Sequence, residues 1–260
     1  MKIYTKNELI DALRDIRSRG WIRNQRPGND GGVGNTLEDL LGIDENNLPI
    51  PNSAEWELKA QRGESTSLTT LLHNEPSPTA MKFVSNILLP KYGWRHKKAG
   101  TLYPATELSF RQTINGLSRT DRGFGIEVNH DQRRIEVTFD SRAVDPRHSE
   151  WLESVRRRAG LGELNPQPYW GFDDLFHTLG TKLKNCFYVK AMSKTVGGEE
   201  YFLYSDIMIL QQFSIDKFIK AVEGGFVCVD FDARTGHNHG TKMRLRQNYI
   251  PHLYQTATRI

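Results

Sequence analysis

The segment LPIPNSAEWELKAQR, residues 48–62, constrains this chain more than any other. Its second half reads as a strand, and side chains alternate faces along a strand. Trp56 and Leu58 therefore share one face, while Glu57 and Lys59 share the other. Such a strand belongs in a sheet with one side against a core and the other carrying a carboxylate beside an ammonium. By itself, Glu-x-Lys is the ordinary mark of a solvated face or a cross-strand ion pair. An acidic metal ligand beside a lysine is also the minimum equipment for cutting a phosphodiester with a divalent cation.

The rest of the chain bounds what that strand can belong to. At 260 residues it is long enough for one large domain or two lobes, with a core that needs no disulfides. No apolar run reaches the ~18 residues of a membrane span, and no signal-peptide core is present. Cys186 and Cys228 each sit in an apolar run, as reduced, buried thiols of a cytosolic protein would. A net charge of +4 permits nucleic-acid binding. Basic residues cluster at Arg95–Lys98, Arg156–Arg158 and Lys242–Arg246. The middle cluster falls at a helix end, where cations complement the macrodipole.

Periodicity predicts helices over 5–19 (Thr5 as cap), from Asn35-Thr36 to Gly42, over 76–89, over 145–160, over 169–185 and over 214–224. Strands are expected at 67–72, at 123–140 as a hairpin, on both sides of Gly197-Gly198, and at 226–234 with 241–247 around GHNHG. The glycine-rich stretch 26–35 has neither of the common phosphate-loop spacings. Irregular alternation with clear hairpins argues for an α/β fold, a mixed sheet flanked by helices. A lobe boundary is expected near residue 100: residues 1–100 as one lobe, and 101–260 as the other, whose strands can return to the first sheet.

GNTLEDLLGI, a turn, and then PNSAEWELK form an order that resembles the MvaI/BcnI family of type II restriction endonucleases. These are distant relatives of the mismatch-repair nickase MutH within the PD-(D/E)XK nuclease superfamily. The family pattern is a helical glutamate followed by Asp-x4-Glu-x-Lys. Glu38 matches the helical glutamate, and Glu57 and Lys59 match the Glu-x-Lys. The aspartate position holds Asn52. The resemblance continues through WGFDDLFHTLGTKLKN and DFDARTGHNHGTKMRLR.

The resemblance implies a restriction-endonuclease-like core with two lobes around a DNA cleft. It implies a bacterial, cytoplasmic monomer that cuts duplex DNA strand by strand and is paired with a methyltransferase of the same restriction system. One or two Mg2+ ions would be held by Glu57, Asn52 and the Leu58 carbonyl, with Glu38 a possible further ligand. Lys59 would position or help deprotonate the attacking water. Glu38 also reads as an ordinary helix carboxylate facing the dipole. An amide oxygen at position 52 can ligate a hard cation but brings no charge. Asn52 is thus an engineered inactivating change, a natural variant with Glu38 compensating, or the mark of a protein that binds without cutting. A MutH-like nickase and a silent DNA-binding module are the alternatives.

Arg234, His237, His239, Lys242 and Arg244 suit a hairpin that reads base edges, since arginine and histidine can donate to guanine O6 and N7. The same residues also describe a basic, solvated hairpin. A zinc site at His237 and His239 lacks further ligands at suitable spacing. His73 and His237 look like the pair of histidines, one from each lobe, that BcnI-like members place on a central base pair, which would mean a CC-x-GG site with a central G·C pair. A lone histidine at a strand end is as readily structural. Arg62, Arg111, Arg119 and Arg122 are candidate phosphate contacts, or plain surface charge.

Overall fold

The computed structural model describes residues 4–29, 31–43, 55–63 and 67–260. In chain order the elements are α1 (Lys6–Ser18), β1 (Ile22–Arg23), α2 (Gly32–Leu41), β2 (Trp56–Arg62), β3 (Leu68–His73), α3 (Leu89–Tyr92), β4 (Trp94–Arg95), β5 (Leu108–Asn115), β6 (Arg122–Asn129) and β7 (Arg134–Val144). There follow α4 (Ser149–Ala159), β8 (Tyr169–Gly171), α5 (Phe172–Lys182), β9 (Asn185–Val196), β10 (Glu199–Phe213), α6 (Ile215–Glu223), β11 (Val227–Arg234), β12 (His237–Asn238), β13 (Lys242–Arg246) and β14 (Tyr254–Arg259). The fold is mixed α/β, as the alternation of patterns predicts.

The chain divides into two compact units. The first comprises residues 1–67, 176–217 and 246–260, and the second 68–175 and 218–245. The boundary expected near residue 100 falls inside the second unit, and β9, β10 and β14 return to the first.

The first unit is built on the sheet β1-β10-β9-β2, with β14 also paired to β10. β2 runs parallel to β9, and the other pairings are antiparallel. Parallel neighbours need a crossover connection. Here that crossover includes residues 68–175 of the second unit, the first of its two segments, and the rest of α5. One face of the sheet is apolar: Trp56 and Leu58 of β2, Phe187, Val189 and Ala191 of β9, and Phe202 and Tyr204 of β10. Against it pack Leu9, Leu13 and Ile16 of α1, and Val33, Leu37 and Leu41 of α2. α1 starts at a complete capping box: the Thr5 hydroxyl accepts from the Glu8 amide, and the Thr5 amide donates to the Glu8 carboxylate at 2.8 Å.

The second unit holds the sheet β3-β13-β11-β5-β4, with β12 on β11, and a smaller sheet β6-β7-β8. Its core is aromatic: Phe110 packs on Phe124 and Phe231, and Phe124 packs on Tyr92 and Phe139.

The structure corrects several sequence expectations. α2 begins at Gly32, not at Asn35-Thr36, and has no side-chain cap. The Thr36 hydroxyl is instead buried and bonded to Asn24 Oδ1. The helix expected over 76–89 is broken into a 3-10 turn at Thr79–Met81, a π turn at Val84–Leu88 and α3. Lys82 takes a left-handed φ of 49°, and Pro90 has no N–H to continue the ladder. Residues 169–171 form β8, antiparallel to β7, before α5 starts. β5 and β14 were not anticipated.

Thr5→Ala should remove the capping box and lower stability by about 1 kcal/mol, read as a lower urea midpoint with an unchanged slope.

Candidate active site

Alternation along β2 does at Glu57 and Lys59 what the sequence predicts. With Trp56 and Leu58 facing the core, the next residues face the opposite side of the sheet. Lys59 Nζ lies 2.5 Å from Glu57 Oε1. Glu57 is 2% exposed, and its other oxygen, Oε2, is buried without a hydrogen-bond partner among the described residues. Burial alone would push the Lys59 ammonium toward neutrality. The Glu57 charge and hydrogen bond outweigh that, and its pKa is raised. Lys59 is therefore a cation throughout the neutral range.

The parallel register sets Cys186 beside Glu57 and Tyr188 beside Lys59. Desolvation raises the pKa of the Cys186 thiol, and the Glu57 carboxylate adds to the effect. Desolvation likewise raises the Tyr188 hydroxyl, and that of Tyr254, where Cys186 and Glu57 also contribute. These groups stay neutral, so charge in the neighbourhood rests on carboxylates and lysines. Glu38, on α2, attracts Lys59 across the same site. Position 52 lies outside the described residues.

One member was missed from sequence. Lys182, in the last turn of α5, is 8% exposed and interacts electrostatically with Glu57, Lys59 and Glu38. Desolvation is the largest influence on it and lowers its pKa. Its place follows from topology, because β9 begins at Asn185 beside Trp56, and Lys184 Nζ reaches Glu55 Oε2 at 3.1 Å. The signal was present in the sequence: Phe172, Leu175, Leu179 and Lys182 form one buried stripe at helical spacing, and a lysine is out of place on it.

Among the described residues no three His, Cys, Asp or Glu side chains gather as a metal cluster. The donors that fit a hard cation are the carboxylates of Glu57 and Glu38 and the main-chain carbonyl of Leu58. The unpartnered Glu57 Oε2 in a buried setting is the observation that favours a cation there.

The second unit holds the other constellation. His237 and His239 are exposed on the loop between β11 and β13, their rings edge to face at 4.2 Å. His73, at the end of β3, adjoins this loop: a Cβ built on Gly240 would lie 3.8 Å from the His73 ring. Lys242 opens β13 opposite Asp230. The two arginines have protein partners. Arg234 Nη1 bonds the buried Glu107 at 3.1 Å, and its guanidinium lies over Tyr103. Arg244 bonds Asp230 at 3.3 Å and the Leu68 carbonyl at 3.0 Å.

The four candidate phosphate contacts also differ. Arg122 is only 17% exposed and stacks on Trp94 at 4.1 Å. Arg62 is tied to Glu200 at 2.9 Å and lies over Phe202. Arg119 bonds Glu127, Thr138 and the Gly123 carbonyl. Arg111 keeps 71% of its side chain in solvent, with Asp232 at 3.6 Å.

A model of the MvaI/BcnI restriction endonuclease family matches residues 10–254. Among solved structures, the complex of restriction endonuclease MvaI with its cognate DNA substrate is similar at a TM-score of 0.74 and 22% identity, covering 98% of this chain and 99% of that one. MvaI without DNA is similar at a TM-score of 0.56 and 23% identity over the full length of both chains. No curated protein matches the chain.

Lys182 has a pKa held below the ordinary lysine value of 10.5, so its protonated form opposes folding at neutral pH. Between the lowered folded-state pKa and 10.5 the unfolded chain binds more protons than the folded one, so the penalty is constant below that window and lifts as pH rises through it. Lys182→Met should therefore stabilise the metal-free protein at pH 7 by about 1 kcal/mol. The gain, measured by urea denaturation, should shrink as pH approaches 10.5.

Proposed function

Because the chain belongs to the MvaI/BcnI restriction endonuclease family, we propose that it hydrolyses duplex DNA at a short CC-x-GG-like site in a Mg2+-dependent reaction. The observation that carries the chemistry is the buried Glu57–Lys59 pair on one strand face, with Glu57 Oε2 unpartnered. Glu57, the Leu58 carbonyl and Asn52 would hold one ion, with Glu38 available to it or to a second. A bound Mg2+ lowers the pKa of its water and stabilises charge on the phosphate.

The chain's own residues supply the rest. Lys59, cationic and fixed by Glu57, sits where it can orient a water or a phosphate oxygen. Its raised pKa favours that electrostatic role over proton abstraction at neutral pH. Glu38 helps hold the lysine through charge. The first unit would be the catalytic lobe. The second would read bases through His73 and the His237–His239 loop, with Lys242, Arg234 and Arg244 supporting it. Arg111 is the strongest of the phosphate-contact candidates because it is the most exposed of the four. A monomer has one such site, so it would cut the strands in turn, in a bacterial cytoplasm beside a methyltransferase that protects host DNA. Among the described residues no helix is long and apolar enough to cross a membrane.

Asn52 favours a second reading, a site-specific DNA-binding protein with impaired cleavage. Supercoiled plasmid with Mg2+ separates the readings. Open circles that become linear support sequential cutting. Open circles that persist mean a nickase, and a gel shift without cutting means a binding module.

Lys59→Ala should lower cleavage by at least about 100-fold while leaving the gel shift in place. Cleavage undiminished in this variant would remove Lys59 from the site. Asn52→Asp should raise Mg2+-dependent cleavage and lower the Mg2+ concentration at half-maximal rate. No change would mean that position 52 is not a ligand.

A further inference from the structure

Two residues beyond His73, Glu75 spends both carboxylate oxygens on the histidine loop. Its Oε1 accepts from the Thr241 amide at 2.8 Å and from Asn238 Nδ2 at 3.4 Å. Its Oε2 accepts from the Thr241 hydroxyl at 3.0 Å. Thr241 is 1% exposed, so its amide and hydroxyl depend on these bonds for their pairing. On its other side the Thr241 carbonyl accepts from the Asn74 amide at 2.9 Å. Asn238 continues the chain of bonds, its Oδ1 accepting from the Gly240 amide at 3.0 Å. Gly240 itself sits at φ +82°, a left-handed conformation that glycine adopts without strain.

Main-chain bonds tie the segment between His237 and Lys242 to β11, the His239 amide donating to the Asp232 carbonyl at 3.0 Å, and the Glu75 carboxylate adds side-chain bonds toward β3. These side-chain bonds run to the residue that follows His73 by two, so one side chain, beside the Asn74–Thr241 main-chain bond, helps fix the loop histidines relative to the strand histidine. A carboxylate on a surface that meets nucleic acid repels phosphate. Glu75 is tolerable there because its charge is spent on donors of the protein. Charge-assisted bonds of this kind are among the stronger ones a loop can have.

We propose that Glu75 is a specificity-positioning residue: it contacts no base, and it sets the register in which His73, His237 and His239 meet the base pairs. The proposal rests on the reading of this loop as the recognition element. Gln at position 75 keeps the acceptor for the Thr241 and Asn238 donors, and its amide can donate to the Thr241 hydroxyl, which reorients to accept. Ala keeps nothing, and leaves a buried amide and hydroxyl unpaired.

The test uses the full-length protein and a pool of duplexes with five randomised base pairs. Bound duplexes are separated on a native gel in Ca2+ and sequenced, so the readout does not depend on cleavage. Circular dichroism and a melting curve accompany each variant. Glu75→Ala should flatten the preference at the base pairs read by the histidines, lowering the preferred-to-disfavoured ratio there by about tenfold or more. Preferences at the remaining positions should stay, and Glu75→Gln should recover most of the selectivity. A purely structural role would lower binding to all duplexes alike and leave the profile unchanged, which would overturn the proposal. Should Glu75→Ala fail to fold, an unaltered profile in Thr241→Val, which removes the hydroxyl donor to Glu75, would overturn it equally. The double change His237→Ala with His239→Ala separates the two levels. If it leaves the profile intact, the reading of the loop fails. If it flattens the profile and Glu75→Ala does not, Glu75 alone is excluded.

Discussion

The parallel pairing of β2 with β9 is the interaction on which the candidate catalytic centre depends. It joins Trp56–Arg62 to a strand that begins only at Asn185 and fixes Glu57 opposite Cys186. Strand periodicity makes this pairing unforgiving, because a slip of one residue exchanges the two faces. Trp56 and Leu58 would then lose the core they share with α1 and α2, and Glu57 and Lys59 would be driven into it. The hydrophobic effect on one side of the strand thus holds the charges on the other, and α2 also brings Glu38 close enough to act on Lys59.

The charges themselves are costly. A carboxylate that is 2% exposed beside a lysine, with a second lysine at 8%, is a poor way to stabilise a sheet. Well-packed apolar side chains commonly do at least as well at such places. The Glu57–Lys59 contact outweighs the desolvation of Lys59, as that lysine's raised pKa shows. At Lys182 the charges of Glu57 and Glu38 offset the desolvation only in part, as its lowered pKa shows. Perturbed, partly uncompensated charge gathered at one point is characteristic of active centres. Cys186, Tyr188 and Tyr254 add to this, since neutral groups with raised pKa values surround the carboxylate without supplying a competing charge.

Much of this was legible in the sequence, for identifiable reasons. Local signals were reliable: the Thr5 cap, the Gly42 stop, the hairpins at 123–140 and around Gly197-Gly198, and the face shared by Glu57 and Lys59. β5 carries an alternation, Phe110 and Ile114 against Arg111 and Thr113, but its arginine reads equally well as a phosphate contact on a loop. β14 carried no such signal. It is an edge strand whose residues are exposed after Tyr254, so nothing selects an apolar face. The division of the chain was hidden for a different reason. No local composition marks the points where it leaves the first unit and returns, because both units are made of the same short strands and helices. The partners of Arg234 and Arg244, Glu107 and Asp230, could be found only once the register of β11 was known.

That last point bears on how a basic hairpin should be read. An arginine counted from sequence as a base contact can be spent on a carboxylate of its own sheet, as Arg234 and Arg244 are. A glutamate that looks hostile to DNA can be the residue that holds the reading groups in place, as the bonds of Glu75 to Thr241 and Asn238 indicate. Charge sign alone therefore misassigns both. The deciding quantity is whether a side chain still has donors or acceptors to offer after its protein partners are satisfied. By that measure the exposed histidines at 237 and 239 have more to give a ligand than either arginine. Histidine also carries less charge than arginine at neutral pH. A loop that reads with histidines gains selectivity from hydrogen-bond geometry more than from attraction to phosphate, and that geometry is worth having only on a loop held rigid.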